Sequence, residues 1–587
     1  MPATSADGRV DVDLRAPVAA MAHRKQGPRP GEAARGALER STTADTPVRG
    51  LAHGAGQADS CGSMALRRRI LCIFPRYTPS FGTFEHAYSL RGNTRAFMPP
   101  QGLLVIAAAA PSDWEVRFLD ENIAPAQESD FAWAEAVFVS GMHVQRAAIE
   151  DINRRAHRMG KTTVLGGPSV SACPEQYPDF DYVHIGEIGD ATDQLFQLLE
   201  ACPARPRRQI RLTTAERRPL DDFPVPAYAL AHLHKYFIGS VQFSSGCPYQ
   251  CEFCDIPALY GRVPRMKTPE QVLRELDTQL GAGLFGAVYF VDDNFIGNRK
   301  AARELLRALI LWQQRNGYPI ELACEATLNI AKYPDILAMM REASFTTVFC
   351  GIETPELGAL EAMHKRHNVS VPILEAIETL NAYGLEVVSG IILGLDTDTP
   401  ETPARIAEFI RRSHIPMLTV NLLQALPRTQ LYARLAAEGR IAEDPSLESN
   451  VRFRRPYDAV VSAWRQLIAE TYSPEAVYER FAWNTAHTYP NRKLLPASSA
   501  RASWSNVGRG LTIMTNLLFK VGIASDYRAT FWRTAWPLLR RGRVEEVIHV
   551  GLVAHHLISF AREAVAGRQN ASYYSPRVAP ARGSAAL

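Results

Sequence analysis

Short apolar runs alternate with amphipathic stretches along most of this chain, and the alternation predicts two parallel sheets with helical crossovers. Arg69-Ile70-Leu71-Cys72-Ile73-Phe74 reads as a first strand and residues 102–110 as a helix. Residues 116–119, 136–140, 162–165 and 182–185 give four more strands, with a helix over 145–159. Strands that are apolar throughout, rather than at every second position, are those covered on both faces. A second series of strands is expected over 240–244, 287–291, 321–325, 347–352, 387–393 and 418–423, separated by helices such as 269–280, 301–315 and 371–383. Six such units suit a partial α/β barrel better than a closed eight-stranded one.

Beyond Pro427 the pattern becomes helical, over 457–472, 474–481, 504–521 and 527–564, with aromatic and basic faces. Trp532, Trp536, Arg540, Arg541 and Arg543 suit helices resting on a membrane surface, whereas a helical lid over the barrel is the plainer alternative. His555 and His556 are neighbours, and neighbours on a helix point in different directions, so a core or surface pair is expected rather than a metal site. The first sixty or so residues are rich in Ala, Gly, Arg, Pro and Thr and are expected to be disordered; Met64, just before the first strand, is an alternative start. The expected divisions are a disordered extension over 1–66, a ligand-binding sheet over 67–205, a Pro-rich linker over 206–234, a barrel over 235–430, a helical domain over 431–570 and a disordered tail over 571–587.

Composition narrows the class. The chain has 587 residues, 46% hydrophobic and 21% charged, as in globular proteins, and a net charge of +4 is too small to argue for nucleic acid. No secretory signal is evident, and no apolar run of about 18 residues predicts a membrane span. Nine cysteines without framework spacing suit a reducing, cytoplasmic compartment.

Three of those cysteines carry the chemistry. Ser-Ser-Gly-Cys-Pro-Tyr-Gln-Cys-Glu-Phe-Cys-Asp places Cys247, Cys251 and Cys254 at the spacing C-x3-C-x2-C, directly after a predicted strand. Iron–sulfur cubes are normally held by four thiolates, so a loop supplying three leaves one iron open to a ligand that is not protein. An incomplete zinc knuckle with a distant histidine is the alternative, but zinc sites usually show paired C-x2-C units and no second pair exists here. Cys61, Cys72, Cys173, Cys202, Cys324 and Cys350 are scattered and read mostly as small core hydrophobes.

Polar and glycine-rich turns gather where the strands end. In the first sheet they are Ser140-Gly141-Met142, Gly166-Gly167-Pro168 and Gly186-Glu187. Open parallel sheets bind ligands beyond the carboxyl ends of their strands, and glycine allows close backbone approach there. These glycines do not form G-x-G-x-x-G, which argues against a dinucleotide; a nucleotide-like or vestigial unit stays as the plain reading. In the second series the strand ends carry Asp292-Asp293-Asn294, Glu325, Glu353 within Gly-Ile-Glu-Thr, and Ser389-Gly390.

The cysteine spacing, with Phe253 just before the third cysteine, resembles the signature of the radical S-adenosylmethionine (SAM) enzymes. A parallel unit placed before such a barrel resembles the cobalamin-binding domain of the B12-dependent class. The resemblance implies an α/β protein with an N-terminal Rossmann/flavodoxin-like cobalamin-binding domain, a radical SAM partial (β/α)6 barrel and a helical C-terminal domain. It implies a 4Fe-4S cluster on Cys247, Cys251 and Cys254, with SAM on its open iron. By matched position, Asp292, Asp293, Asn294, Glu325 and Glu353 would serve the SAM amine or ribose, Ser389 and Gly390 the adenine, and Phe253 would shield the cluster. Ser140, Gly141, Met142, Gly166, Gly167, Pro168, Gly186 and Glu187 would surround the corrin. The Asp-x-His-x-x-Gly sequence of histidine-on cobalamin proteins is absent, and His143 lacks that context, so methylcobalamin without a lower histidine is expected.

Phe-Pro-Arg-Tyr-Thr-Pro-Ser-Phe-Gly-Thr-Phe-Glu-His near the start and Val-Ala-His-His-Leu-Ile near the end are similar to the subgroup that methylates bacterial hopanoids at C-2. That likeness implies a hopanoid lipid substrate, an electron donor of the flavodoxin or ferredoxin type, and an enzyme in the cytoplasm or on the cytoplasmic face of the membrane, in peripheral contact with it. Methylation or rearrangement of another natural product or a tetrapyrrole shares every motif; a cobalamin-binding sensor would need no cluster.

Overall fold

Apolar runs without alternation form the central strands of the first sheet. β1 (Arg69–Phe74), β2 (Glu115–Asp120), β3 (Ala136–Ser140), β4 (Thr162–Gly166), β5 (Tyr182–Ile185) and β6 (Ile210–Thr213) lie in the order β2-β1-β3-β4-β5-β6, all parallel. Successive residues enter different cores. Leu71, Ile73, Val137, Val139, Leu165 and Val183 pack on one face, and Ile70, Cys72, Phe138, Val164 and Tyr182 on the other. Burying each large apolar side chain contributes about 1.5–3 kcal/mol, which is why both sets of positions are apolar. Helices α1 (Gln101–Ala109), α2 (Arg146–Arg158), α3 (Pro168–Ala172) and α4 (Asp190–Ala201) make the crossovers.

The computed structural model describes residues 68–568 apart from 203, 285, 443, 445 and 497–503. The expected disorder over 1–66 and 571–587, and the alternative start at Met64, lie outside the described residues. The expected five-stranded unit has a sixth strand, because β6 falls in the stretch read as linker. Only Leu212 of its four residues is buried, too weak a pattern to mark a strand at the sheet edge.

The second sheet contains β7 (Gly239–Val241), β8 (Ala287–Phe290), β9 (Glu321–Glu325), β10 (Phe345–Phe349), β11 (Glu386–Leu393) and β12 (Met417–Leu422) in parallel order β12-β11-β10-β9-β8-β7, with β7 and β12 at its two edges. Intervening helices α5 (Pro269–Gly281), α6 (Arg299–Arg315), α7 (Pro334–Glu342), α8 (Ile373–Ala382) and α9 (Thr402–Ser413) complete the six-fold partial barrel. Two strands are displaced from their expected positions. β7 stops at Val241 and β10 at Phe349, in each case where the chain turns toward the strand-end rim.

The segment between β1 and α1 touches both sheet edges. Ala96 forms a parallel bridge with Tyr236, just before β7. Phe81 stacks on Tyr472 at 4.4 Å, and the Tyr472 hydroxyl donates to the Leu418 carbonyl of β12.

The C-terminal helices are α10 (Gln430–Ala437), α11 (Tyr457–Thr471), α12 (Pro474–His487), α13 (Trp504–Leu517), α14 (Arg528–Arg540) and α15 (Val544–Val565), with a π-helical turn over Leu518–Ile523. α10 reaches the cysteine loop, its Leu431 amide donating to the Glu252 carbonyl, whereas α15 sits at the opposite end of the barrel strands. Glu386, the first residue of β11, accepts hydrogen bonds from Tyr489 and from His549 of α15, so this contact lies at the amino end of the strand, away from the cysteine loop. α15 is long and apolar enough by composition to cross a membrane, contrary to expectation, but 61% of its apolar window is buried in the helical core. His555 and His556 are a packed pair as expected: His555 Nδ1 meets the Tyr527 hydroxyl at 2.6 Å and His556 Nε2 donates to the Phe81 carbonyl at 3.1 Å. Burial holds both rings neutral, pushing His556 down to about 3 and His555 to about 4.

Candidate active site

The cysteine loop is built by backbone hydrogen bonds to acids of the next strand end. Asp292 Oδ1 accepts from the Phe243 amide at 2.9 Å and also from the Ser244 amide. Asp293 Oδ2 accepts from the Gly246 amide at 2.6 Å. Gly246 has φ +94°, and a Cβ there would stand 2.9 Å from the Gly261 carbonyl oxygen, so glycine alone suits the turn into Cys247. Cys247 then donates its amide to Gly261, and Cys254 donates its amide to Cys251. Glu252, between them, donates its amide to Met363 at 3.0 Å and accepts from the Leu431 amide at 2.9 Å.

All three cysteines are partly exposed. Burial pushes the Cys247 thiol up to about 11 and raises Cys251 and Cys254 as well, so the loop itself favours protonated thiols. An iron cluster held there would offset that cost, because thiolates are the ligating form. Among the described residues, no three His, Cys, Asp or Glu side chains converge as ligands of one ion. A loop that supplies three thiolates fits a 4Fe-4S cluster whose fourth iron is open to a non-protein ligand.

Acidic residues line the rim beside this loop. Burial raises Asp292 to about 7, Asp293 to about 6 and Glu325 to about 7, and the charges of Asp293 and Asp292 add to the effect at Glu325. Glu325 accepts from the Tyr289 hydroxyl at 3.2 Å, while the second oxygen of Asp292 is buried with no partner among the described groups. Acids crowded in this way favour a nearby cation, which fits the ammonium of SAM. Asn294 is otherwise engaged, its amide group bonded to Thr327. Ser389 also serves the scaffold: its hydroxyl donates to the Cys350 carbonyl at 2.7 Å and accepts from the Ile352 amide.

Glu353 follows β10 with φ +67°, a left-handed conformation held by its bridge to Ile391. Its carboxylate meets Lys365 Nζ at 2.7 Å, and that ammonium lies 5.4 Å from the centre of the Phe253 ring. A Cβ on Gly390 would stand 3.8 Å from the other Glu353 oxygen. The buried Lys365 was not found from sequence, since nothing local marks a lysine twelve residues after Glu353.

The glycine turns of the first sheet form a rim of their own. Gly167 has φ +92°, and a Cβ there would fall 2.4 Å from Ser140 Oγ; Gly186 has φ +103° and donates its amide to Ser171. Gly141 and Met142 follow β3, Gly166 ends β4 and Pro168 begins α3, so these residues share the carboxyl edge of neighbouring strands. Met142 is exposed there. The glycines let these turns pack closely, Gly141 against Ile149 and Gly186 against Thr214, at the carboxyl edge where such a sheet takes a ligand as large as a corrin. His143 bonds Ser169 through Nδ1. Glu187 does something sequence reasoning did not foresee: its carboxylate holds Arg265 at 2.5 Å, Arg217 at 3.1 Å and the Ser245 hydroxyl at 2.9 Å, tying the first sheet to the cysteine-loop hairpin.

A glycine-edged parallel sheet joined at its carboxyl end to a partial barrel bearing a three-cysteine loop defines a B12-dependent radical SAM protein. The sequence matches the B12 binding domain over residues 89–196, the radical SAM superfamily over 241–410 and a domain of unknown function, DUF4070, over 429–570. It is 58% identical over 511 residues to the hopanoid C-2 methylase of Rhodopseudomonas palustris strain TIE-1, covering 87% of this chain and 97% of the relative. The structure of the cobalamin-dependent radical enzyme OxsB, with aqua-cobalamin and SAM bound, aligns with a TM-score of 0.56 at 12% identity, covering 86% of this chain and 81% of that one. The radical SAM methyltransferase TsrM from Kitasatospora setae, with cobalamin and a 4Fe-4S cluster bound, aligns with a TM-score of 0.51 at 16% identity, covering 85% and 100%. These two share the fold. The chain belongs to the family of the Rhodopseudomonas methylase and is a radical SAM methyltransferase that uses a 4Fe-4S cluster, SAM and cobalamin.

Proposed function

We propose that this enzyme methylates a hopanoid lipid at C-2. The observation that carries the reading is the span of the likeness to the Rhodopseudomonas hopanoid C-2 methylase, 97% of that relative's length. A span of 87% of this chain is long enough to take in both rims, and Phe81 of the first hopanoid-like stretch meets His556 of the last, beside Phe560. The two stretches similar to the hopanoid subgroup thus pack against each other.

When bound, the cluster with SAM supplies hydrogen abstraction from an unactivated carbon, and methylcobalamin supplies the methyl group. The chain's own residues bind and orient. Cys247, Cys251 and Cys254 hold the cluster, with Lys365 as a buried cation beside Phe253. Asp292, Asp293, Glu325 and Glu353 offer negative charge to the SAM amine or oxygen atoms to its ribose, with Gly390 beside them. Ser140, Gly141, Met142, Gly166, Gly167, Pro168 and Gly186 form the strand-end edge that would face the corrin. Glu187 keeps the two rims in register, and fixed placement with exclusion of water is what such chemistry asks of a protein. No side chain is required as a general acid or base.

The cluster needs an electron donor, and a flavodoxin or ferredoxin fits the one-electron demand. A cluster that must be reduced supports a cytoplasmic location. The test is anaerobic turnover of the reconstituted enzyme with a hopanoid and SAM carrying a deuterated methyl group. A labelled methyl at C-2, absent with Cys251→Ala, is the expected result. Label appearing only at another carbon, or only on a tetrapyrrole, would contradict the assignment.

A further inference from the structure

We infer that the face formed by α13, the π-helical turn and α14 is a docking surface for an anionic lipid bilayer. Large apolar side chains stand in solvent along it: Val507 (52% exposed), Leu511 (67%), Phe519 (65%), Ile523 (62%) and Trp536 (57%). From Val507 to Ile523 the helical rise spans about 24 Å. The opposite side of the same segment is packed, with Ile513, Leu517 and Val521 buried in the core and Leu517 against Gly551 of α15. The π-turn joins this stripe to α14. Trp532 donates its indole N–H to the Gly522 carbonyl at 2.9 Å, and a Cβ on Gly522 would stand 3.2 Å from the Trp532 ring. Trp536 then sits edge-on to Trp532 at 6.4 Å.

Charge selects the occupant. Residues 506–541 contain six bases (Arg509, Lys520, Arg528, Arg533, Arg540 and Arg541) and one acid, Asp526. That acid is neutralised by Arg562 at 2.8 Å. All six bases are exposed. Exposed Phe, Ile, Leu and Trp interleaved along these helices with exposed Arg and Lys, and almost no acid, match the interface of an anionic membrane, where apolar tips enter the acyl boundary and bases meet lipid phosphates. A soluble protein partner would meet the same apolar stripe but gives no reason for the one-signed charge.

The membrane reading expected from sequence is thereby moved. Phe560 and His556 are buried, Trp532 is half-buried, and α15 lies in the core, so the membrane-facing residues are Trp536 and the outer stripe of α13 and the π-turn. The inference deepens the lipid-substrate reading, yet it rests on exposure and charge and is read without turnover.

The test is flotation of the full-length holoenzyme with vesicles of phosphatidylcholine alone or with 30% phosphatidylglycerol. The enzyme is expected to float with the anionic vesicles, and less so in high salt. Phe519→Ser with Trp536→Ser should weaken partition roughly tenfold or more, given two large apolar groups withdrawn. Lys520→Glu with Arg533→Glu should abolish the preference for anionic vesicles, and Leu357→Ser, exposed on another face, should change nothing. Failure of the wild type to float, or equal flotation of the Phe519/Trp536 variant, would overturn the inference. So would a wild-type oligomer that this variant converts to monomers. C-2 methylation of detergent-dispersed hopanoid would stand or fall separately.

Discussion

Arg434 Nε stands 2.6 Å from Glu252 Oε1, so the first helix after the barrel grips the residue between Cys251 and Phe253. The same guanidinium reaches Asp396 at 2.7 Å, in the turn after β11. The loop is thus held from three sides: by Asp292 and Asp293 at its entrance, by Met363 and Leu431 through the Glu252 backbone, and by Arg434 at the side chain. Arg434→Ala should leave the barrel folded, costing about 1–2 kcal/mol, and reduce iron bound per chain by at least half. Arg434→Lys, a single point charge in place of the fork, should recover part of it. Iron and sulfide analysis of anaerobically purified variants checks this.

Lys365 places a buried positive charge beside Phe253. Lys365→Met should make the cluster harder to reduce. Lys365 is paired with Glu353 at 2.7 Å, so its loss withdraws a positive charge and leaves a buried carboxylate unpaired beside the loop, both of which lower the potential. A redox titration followed by electron paramagnetic resonance reads the shift.

Glu187 links the sheets through Arg265, Arg217 and Ser245. Glu187→Ala should leave the cluster in place and SAM cleavage near wild type. Methyl transfer should fall at least tenfold, since Arg217 and Arg265 lose the carboxylate that joins them and the rims lose register. The ratio of 5′-deoxyadenosine to methylated product, measured in one reaction, should rise accordingly.

Asp120 gives a pH dependence away from the iron site. Burial raises its carboxyl to about 6, against hydrogen bonds from Asn122 and from the Tyr236 hydroxyl at 2.9 Å. An acid raised by folding favours the folded state fully below its unfolded value near 4 and loses that advantage as pH climbs to about 6. Asp120→Asn keeps the shape and removes the titration. Relative to wild type, the variant should therefore gain about 2 kcal/mol between pH 4 and 7. Thermal midpoints of both proteins at pH 4.5, 5.5 and 6.5 should diverge with rising pH.

What the sequence made legible follows from how each feature is encoded. Arg69–Phe74, Ala136–Ser140, Tyr182–Ile185 and Glu321–Glu325 fall where the apolar runs place them, because local composition and burial agree. The first barrel strand was expected at 240–244 but closes at Val241, since Asp292, about fifty residues away, captures the amides that would have continued it. The strand before Glu353 was expected to reach Ile352 but stops at Phe349, ahead of a left-handed residue that no propensity predicts. The cysteines were legible because their spacing is itself the signal. Lys365, Arg434 and the Glu187 bridge were not, because each is a pairing made only after distant segments meet.

Electron paramagnetic resonance of the reduced, anaerobically reconstituted protein before and after adding SAM, alongside metal analysis, reads the open iron directly. Three protein thiolates and one open iron predict about four irons per chain, a cluster signal that changes on SAM addition, and loss of that signal in Cys251→Ala. Bound zinc, or an iron signal indifferent to SAM, would contradict the account.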